Sequence, residues 1–255
     1  MEKIKLQGGK TIMKIFSSIE EDFQAWEFYK EKGYRWAFNK MEVAMRQGLN
    51  AGPAGVAPEY SGTYISRPIY NLYGMGIGAK KFEYNAKTMY TRLINNDIVP
   101  PGHFWCQWIE GEHLSIDYER DGARWKVRSV WSGEHFSDDN LVKFQSWERL
   151  DNDYVESPYE MVERLSEFAF IQHGQIQKIN FEMRGDYIID FHFRWGNDPF
   201  DDLPVGTLIA PVWNDEEAPE GEWRGNLHED LTLYSAAGNL EDVRRGYIID
   251  RRGNA

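Results

Sequence analysis

The sequence predicts an α+β fold in which strands outnumber helices. Two antiparallel hairpins are the main observations behind this prediction. In the first, KINFEMRGDYIIDFHFR at 178–194, apolar and polar residues alternate on both sides of a turn at Arg184-Gly185-Asp186. In the second, Asp121-Gly122 lies between two alternating runs, and an Asp-Gly pair is a strong hairpin signal. Helical spacing is restricted to a few segments, and no stretch has the composition of a linker between independent domains.

The N-terminal part of the chain contains two predicted helices. Residues 18–32 are predicted as a helix because Ser18 can cap it, acids fill its first turn and Gly33 follows its last lysine. A second helix is predicted at 40–47 and ends at Gly48. The other predictions here are a strand at 11–16, a Gly- and Pro-rich loop at 51–58, a strand at 63–68 and a strand start at 80–82.

Strands dominate the middle of the chain, and a less regular region follows them. The amphipathic helix in this part begins at Ser157-Pro158, because proline is tolerated in a first helical turn. The predicted elements are, in order, a helix at 86–95, a central apolar strand at 103–109, strands at 114–118 and 124–132, the helix at 157–170, an exposed acidic loop at 215–225, a short helix or strand at 227–233, a helix at 240–245 and a last strand at 246–250.

Composition excludes several classes of protein. The formal net charge is −12, which argues against a general binder of nucleic acid or anionic membranes, because such proteins present a broad positive field. A single cysteine, Cys106, excludes an intrachain disulfide framework and a cysteine-based zinc site. No apolar run approaches the roughly 18 residues of a membrane span. Residues 1–12 lack a secretory core and are interpreted as a disordered leader, so the cytoplasm is the expected compartment.

The hairpin at 178–194 carries the first candidate site. An oxygen-rich face of mixed charge, flanked by apolar residues, can hold a divalent cation and a phosphate group. A solvated polar face accounts for the same residues without any ligand. Three polar residues alternate along each strand: Lys178, Asn180 and Glu182 on the first, and Asp190, His192 and Arg194 on the second.

A glycine-rich stretch forms the second candidate site. Arg67 precedes three closely spaced glycines, Gly74, Gly76 and Gly78, and Lys80-Lys81 follows them. Closely spaced glycines let backbone N–H groups approach a phosphate, and a guanidinium offers a planar fork to its oxygens. The spacing matches neither the Walker pattern nor the dinucleotide fingerprint, and a glycine-rich turn without a ligand remains the alternative.

A third candidate site is the strand end CQWIEGEH at 106–113. Gln107, Trp108 and Ile109 end an apolar strand, and His113 lies just beyond a glycine. Such a segment can act as a hinge for a purine, where backbone groups pair with the base edge and a polar residue reaches the ribose. A strand end with a solvated turn is the alternative interpretation.

Taken in their order along the chain, the three candidate sites resemble the motifs of the ATP-grasp superfamily. The stretch YISRPIYNLYGMGIGAKKF is similar to the phosphate-binding strand and flap of that family, CQWIEGEHLSIDY to its hinge, and KINFEMRGDYIIDFHFR to its two metal-binding strands. FNKMEVAMRQGLNAGPAG is similar to the stretch before the flap. The resemblance covers roughly residues 36–198 and depends on order and spacing, since no single motif is strict.

The resemblance implies two α+β lobes whose antiparallel sheets clasp a nucleotide. It divides the chain into a reduced N-terminal region at 13–60, a small lobe with flap and hinge at 61–112, and a large lobe with the metal strands and a C-terminal extension at 113–255. The region before the flap is shorter than the usual N-terminal domain of the family.

The resemblance also implies a role for each residue of the three sites. Several positions depart from the family pattern: arginine replaces lysine at 67, histidine replaces an acid at 113, and Asn180 and His192 replace aspartate and asparagine. Glu182 is an alternative to Asn180 as the first metal ligand. The implied roles are ATP binding by Arg67, Gly74, Gly76, Gly78, Gln107, Trp108, Ile109 and His113, Mg²⁺ binding by Asp190, Glu182, Asn180 and His192, and catalysis by Lys178, Arg194 and Arg67.

Three functions remain open from the sequence. An ATP-dependent ligase would activate a small-molecule or peptide carboxylate as an acylphosphate, which an amine or thiol captures. A degenerate relative would bind the nucleotide without turnover and serve a regulatory or interaction role. An unrelated α+β protein would bind no nucleotide. Ligases of this kind are often dimers, so a homodimer is left open as well.

Overall fold

The computed structural model describes residues 17–70, 78–137, 140–163, 165, 169–196, 202–213, 220–225 and 244–250. In this part of the chain, twelve strands form two antiparallel sheets, with short α-helices packed around them, which confirms the predicted α+β class. The small sheet has the order β1-β4-β2-β3, and the large sheet has the order β11-β12-β10-β7-β6-β5-β8-β9. The strands are β1 (Ala51–Pro53), β2 (Gly62–Pro68), β3 (Lys80–Tyr84), β4 (His103–Gln107), β5 (His113–Asp121), β6 (Arg124–Ser137), β7 (Asn140–Leu150), β8 (Lys178–Arg184), β9 (Tyr187–His192), β10 (Leu208–Trp213), β11 (Glu222–Gly225) and β12 (Arg244–Asp250), and the helices are α1 (Asp22–Phe28), α2 (Lys40–Arg46), α3 (Tyr90–Ile94), α4 (Pro158–Glu163) and α5 (Ala169–Gln172).

The small sheet is organised around a buried tryptophan. Trp105 on β4 packs edge-on against Tyr64 of β2, and its indole N–H donates to the carbonyl of Val56 at 2.6 Å. A Cβ at Gly52 would lie 2.6 Å from the same indole, so β1 can pair with β4 only because position 52 has no side chain. The segment predicted as a loop at 51–58 therefore begins with the short strand β1.

The large sheet has one apolar and one polar face in its central strands. Leu114 and Ile116 on β5 and Ile179 and Phe181 on β8 pack into the main core together with buried side chains of α1, α4 and α5. Because side chains alternate along a strand, Ser115, Asp117 and Asn180 lie on the opposite face. Both predicted hairpins are present: β5 pairs with β6 across Asp121-Gly122, and β8 pairs with β9 across Gly185-Asp186.

A bulge in the second hairpin changes which residues face the core. Glu182 pairs with Asp190 and Met183 pairs with Ile188, so Ile189 is an extra residue without a partner on β8. Simple alternation predicted Ile189 on the apolar face, and this was wrong. Ile188 is 1% exposed and packs in the core, whereas Ile189 lines the cleft between the two sheets.

Other element bounds differ from the sequence prediction for local reasons. The helix predicted at 18–32 begins at Asp22, because Glu21 and Gln24 form a capping box and Ser18 donates to Glu20 instead. The helix predicted at 157–170 is divided into α4 and α5. Residues 222–225 form β11 rather than part of a loop, and residues 244–245 belong to β12 rather than to a helix. Strands β7 and β10 were not predicted.

Several predictions lie outside the described residues. These are the leader at 1–12, the strand at 11–16, the glycines at positions 74 and 76, and the element at 227–233. Within the described residues, no helix is long and apolar enough to cross a membrane.

Two glycines bring the segment after β4 against the hairpin turn of β8 and β9. Gly185 N donates to the carbonyl of Glu112 at 2.9 Å, and a Cβ at Gly111 would lie 2.7 Å from Gly185 Cα. Gly111 has φ +118° and Gly185 has φ +52°, which are conformations that favour glycine. The link between the two sheets is therefore a contact of backbone against backbone.

We predict that Gly185→Ala destabilises the protein more than Gly122→Ala does. Both glycines have similar left-handed φ values, +52° and +61°, but a Cβ at 185 would lie 2.7 Å from the carbonyl oxygen of Glu110, whereas a Cβ at 122 meets nothing within 4 Å. The conformational cost of about 1–2 kcal/mol is common to both variants, so the difference in unfolding free energy measured by urea denaturation isolates the contact. Equal losses would contradict the proposed close approach.

Candidate functional site

A pocket lies between the small sheet and β9. Its cavity volume is about 50 Å³, so the two walls lie close together in this structure. Its lining is mostly apolar, with polar groups from two arginines and one glutamine. The lining residues are Ala44, Leu49, Ile65, Arg67, Phe104, Cys106, Gln107, Trp108, Ile109, Arg184, Ile188 and Ile189.

The predicted hinge at 107–109 forms one wall of this pocket. The Gln107 side chain accepts a hydrogen bond from the backbone N–H of Asn50 at 2.9 Å, so its amide oxygen holds the small sheet together. Trp108 donates its backbone N–H to Thr63, and its ring is 4.3 Å from Lys81 Nζ and 4.7 Å from the Arg184 guanidinium. Cations on the ring increase the rigidity of this wall.

Arg67 lies at the polar end of the pocket. It projects from β2, its guanidinium carbon is 5.6 Å from the centre of the Phe104 ring, and its Nη2 donates to the carbonyl of Ile189. Of the three predicted flap glycines, Gly78 is the only one within the described residues. It has φ +83°, and a Cβ there would contact His103 Nε2 at 3.0 Å.

A chain of ionic contacts extends from this point along β9. Lys40 Nζ, at the start of α2, is 2.7 Å from Asp190 Oδ2. His192 lies between two carboxylates, with Nε2 3.5 Å from Asp190 Oδ2 and Nδ1 2.9 Å from Asp22 Oδ2. Arg194 Nε completes the chain at 3.2 Å from Asp22. Helices α1 and α2 are thereby both tied to the edge strand of the large sheet.

The electrostatics of this chain favour charged side chains despite their burial. Burial alone would raise the pKa of Asp190, but the ammonium of Lys40 and the imidazole of His192 hold it well below its usual range. Burial and Arg194 would lower the pKa of His192, yet Asp190 and Asp22 together raise it to about 9. The imidazole is therefore a cation at neutral pH, with a proton on each nitrogen.

The other predicted metal ligands lie beside this chain but are directed elsewhere. Asn180 is fully buried and donates through Nδ2 to Asp117 at 2.9 Å and to Ser115 at 3.0 Å, across the pair of strands β5 and β8. The Glu182 side chain is 36% exposed, and its Oε2 is 3.8 Å from Nε2 of His113. Glu182 thus remains the carboxylate with the most open access to the cleft in this group.

His113 packs against another histidine, His135. Its Nδ1 is 3.2 Å from Nε2 of His135, and its ring packs edge-on against Phe144 and Trp147. Burial, with help from His113, lowers the pKa of His135 to about 3, so the His135 imidazole is neutral. The predicted contact between His113 and a ribose stays a prediction.

The two predicted catalytic cations of the hairpin are both ion-paired. Lys178 Nζ is 2.7 Å from Glu20 and 4.0 Å from the Trp195 ring. Nε of Arg194 pairs with Asp22, and Nη1 of Arg194 donates to the carbonyl of Trp195 at 2.8 Å. For Arg194 to bind a substrate carboxylate through two hydrogen bonds, its contact with Asp22 would have to open.

Three functional side chains were missed from the sequence: Asp22, Lys40 and Gln47. The Gln47 side chain accepts from the N–H of Ile188 and donates to its carbonyl, both at 2.8 Å, and so replaces a neighbouring strand at the edge of β9. Lys40 had a usable signal. It is the first residue of α2, after the capping residue Asn39, where a cation is disfavoured by the helix dipole. A residue that opposes its local preference indicates a tertiary partner.

The arrangement of donors does not fit a divalent cation held by the protein. Both nitrogens of His192 face carboxylates, and Asp190 Oδ2 is occupied by Lys40. Mg²⁺ requires oxygen ligands with near-octahedral geometry. Among the residues that the structure describes, no group of three or more His, Cys, Asp or Glu side chains is arranged to hold a metal ion.

We predict a pH-dependent loss of stability that depends on His192. The pKa of its folded state is about 9 and that of an ordinary histidine is 6.5, so its contribution is complete below pH 6.5 and is lost as the pH rises toward 9. Since one pKa unit corresponds to about 1.4 kcal/mol, the loss is up to about 3 kcal/mol. Urea denaturation at pH 6.5 and pH 9.5 should show it in the wild type and in the control His173→Gln, but not in His192→Gln. The same loss in all three proteins would contradict the ion chain.

Comparison with known proteins concerns the fold. No protein-family model matches the sequence, and no curated protein matches it. Among solved structures, N5-carboxyaminoimidazole synthetase from Staphylococcus aureus in complex with ADP is similar with a TM-score of 0.52 and 11% identity, over 86% of this chain and 69% of that chain. N5-carboxyaminoimidazole ribonucleotide synthetase from Thermus thermophilus gives 0.52 and 11%, over 88% and 70%.

An L-amino acid ligase from Bacillus licheniformis gives a TM-score of 0.45 and 11% identity, over 84% of this chain and 66% of that chain. The chain thus spans about two thirds of the length of the solved structures it matches. The two structures with a TM-score of 0.52 are ATP-grasp proteins. Two antiparallel sheets, a pocket between them and these two likenesses lead to one conclusion: the chain has the ATP-grasp fold.

Proposed function

We propose that the pocket between the two sheets binds ATP and that the chain is an ATP-dependent ligase. The observation that carries this proposal is the chemistry of the pocket's lining. The pocket is apolar along most of its wall, it lies at the predicted hinge, and it ends at the guanidinium of Arg67 beside Asp190. An apolar slot with a cation at one end suits a purine joined to a chain of phosphates.

The residues divide between the base and the phosphates. Ile65, Ile109 and Ile189 present aliphatic surface to the two faces of a purine. Arg67 and Lys40 approach from the small sheet and α2 toward Asp190, where the phosphates would end. Positive charge held in place before the reaction stabilises a transferring phosphoryl group without further reorganisation.

The proposed reaction has two steps. A substrate carboxylate attacks the γ-phosphorus, the bond from that phosphorus to the β–γ bridging oxygen breaks, and ADP leaves. An amine or thiol then attacks the acyl carbon of the acylphosphate, phosphate leaves with the electrons of the broken C–O bond, and the acceptor loses a proton. Arg194 ends the ion chain and pairs with Asp22, and Lys178 pairs with Glu20. Both side chains could bind the substrate carboxylate once these ion pairs open.

A second candidate function is nucleotide binding without turnover. It is favoured by the contact of Lys40 with Asp190 and by the two carboxylates that face the nitrogens of His192, because these contacts occupy two of the expected metal ligands. Such a protein would respond to ATP in binding experiments and would release no ADP with any carboxylate and amine. Its role would then be regulatory or through interaction with another protein.

We predict that ATP stabilises the protein against thermal unfolding. A ligand at about 100 times its Kd adds about 2.7 kcal/mol to the native state, which for a chain of this length corresponds to a rise of several degrees in Tm. GTP and ADP are the matched ligands for selectivity. ADP release with panels of carboxylates and amines then separates the ligase from the binding protein. The absence of a shift with any nucleotide would contradict both candidate functions.

We also predict that Arg67→Gln weakens ATP binding about tenfold or more, which corresponds to about 1.4 kcal/mol of lost interaction. Arg46→Gln is the matched control. Arg46 is an arginine at the end of α2 that pairs with Glu42 and packs on Trp36, and it does not line the pocket. Calorimetric titration of both variants measures the difference, with the unfolding midpoint as a check of folding. Equal affinities for the two variants would remove Arg67 from the site.

A further inference from the structure

Lys40 lies beside Asp190 in the cleft, where the sequence resemblance places a metal ion. Its ammonium is 2.7 Å from Asp190 Oδ2, and the side chains of Lys40 and Asp190 are each only 12% exposed. Asp190 is the residue that the sequence resemblance assigns to the metal. The cation that this carboxylate binds in the structure is therefore part of the chain.

Lys40 is held in this position from both sides. Its backbone N–H donates to the carbonyl of Ile69 at 2.9 Å, just after β2, and Asn39 before it caps α2 through the N–H of Glu42 at 3.0 Å. A lysine at the first position of a helix is opposed by the helix dipole. The interaction with Asp190 offsets that cost, so the position of Lys40 depends on a tertiary contact rather than on a local helix preference.

The remaining donors confirm that the ammonium satisfies the charge of Asp190. Oδ1 of Asp190 accepts the N–H of Phe191 at 2.9 Å, and Oδ2 faces both Lys40 and Nε2 of His192. The expected partner Asn180 is turned toward Asp117. Glu182 is left as the carboxylate open to the cleft, and one carboxylate with an adjacent ammonium is a poor site for Mg²⁺, which prefers several oxygen ligands.

We propose that Lys40 is a tethered cation that takes the place of a protein-held metal ion at Asp190. It would neutralise the terminal phosphates of a nucleoside triphosphate together with Arg67. This inference rests on the proposed nucleotide site for its ligand, but the ion pair itself does not depend on any nucleotide. Because an ammonium on a side chain has no binding equilibrium of its own, the site would be charged at every metal concentration.

The first test measures metal binding without nucleotide. Mn²⁺ is titrated into the full chain and followed by electron paramagnetic resonance, for the wild type, Lys40→Met and the exposed control Lys87→Met. The expected result is no Mn²⁺ site in the wild type and in Lys87→Met, and one new site in Lys40→Met, where the carboxylate of Asp190 becomes available beside that of Glu182. A Mn²⁺ site in the wild type, or a folded Lys40→Met variant without one, overturns the inference.

The second test uses the wild type alone and stays decisive if Lys40→Met fails to fold. ATP is titrated calorimetrically in excess EDTA and in excess Mg²⁺. Equal affinities in the two buffers support the tethered cation, and an affinity at least about tenfold higher with Mg²⁺, or about 1.4 kcal/mol, overturns it. Failure of ATP to bind in either buffer contradicts the proposed function, while the Mn²⁺ titration still decides the role of Lys40.

Discussion

The ion pair between Lys40 and Asp190 is the interaction on which the arrangement of the cleft depends. Charged groups removed from water are tolerated only when they are paired and hydrogen-bonded. Asp190 is on the edge strand of the large sheet and Lys40 begins a helix that packs under the small sheet, so the pairing requirement joins the two parts of the fold. His192 and Asp22 extend the same requirement to α1. Each charge in the chain has a neighbour of opposite sign.

The edge strand β9 also has backbone groups on its outer side that lack a partner strand. Side chains supply the missing partners here. Gln47 bonds to both backbone groups of Ile188, Arg67 to the carbonyl of Ile189, and Asp22 to the N–H of Phe193. Since these side chains come from α2, β2 and α1, the edge of β9 is protected by the elements that build the cleft. Protection of the edge and construction of the site are thus achieved by one set of contacts.

The roles assigned to the three candidate sites stay predictions, but the hairpins and most strands of both sheets could be predicted because they depend on local periodicity and turn chemistry. The bulge at Ile189 could not, since it adds one residue against a pattern that alternation alone would continue. Strand β10 was missed because its partners β7 and β12 are distant along the chain, and β7 was missed although it directly follows its partner β6. In the site, Asp190 and Arg67 were found by their order in the chain, whereas Asp22 and Gln47 meet β9 only through tertiary contacts. Lys40 shows that a residue at odds with its helix position can be found from sequence when its partner is sought.

The contact between Gly111 and Gly185 has a mechanical consequence. Backbone atoms that touch without side chains have no rotamers, so the separation of the two segments at this point is fixed by van der Waals contact and by the hydrogen bond from Gly185 N to Glu112. A displacement of the small sheet relative to the large one would then be a rotation about this contact, and its amplitude would grow in proportion to the distance from it. The lever arm is shortest at Ile109, which lies next to Gly185, and longer toward Lys40 and Arg67. Small angular changes about this contact would therefore leave the wall at Ile109 nearly in place while they open or close the cleft near Lys40 and Arg67.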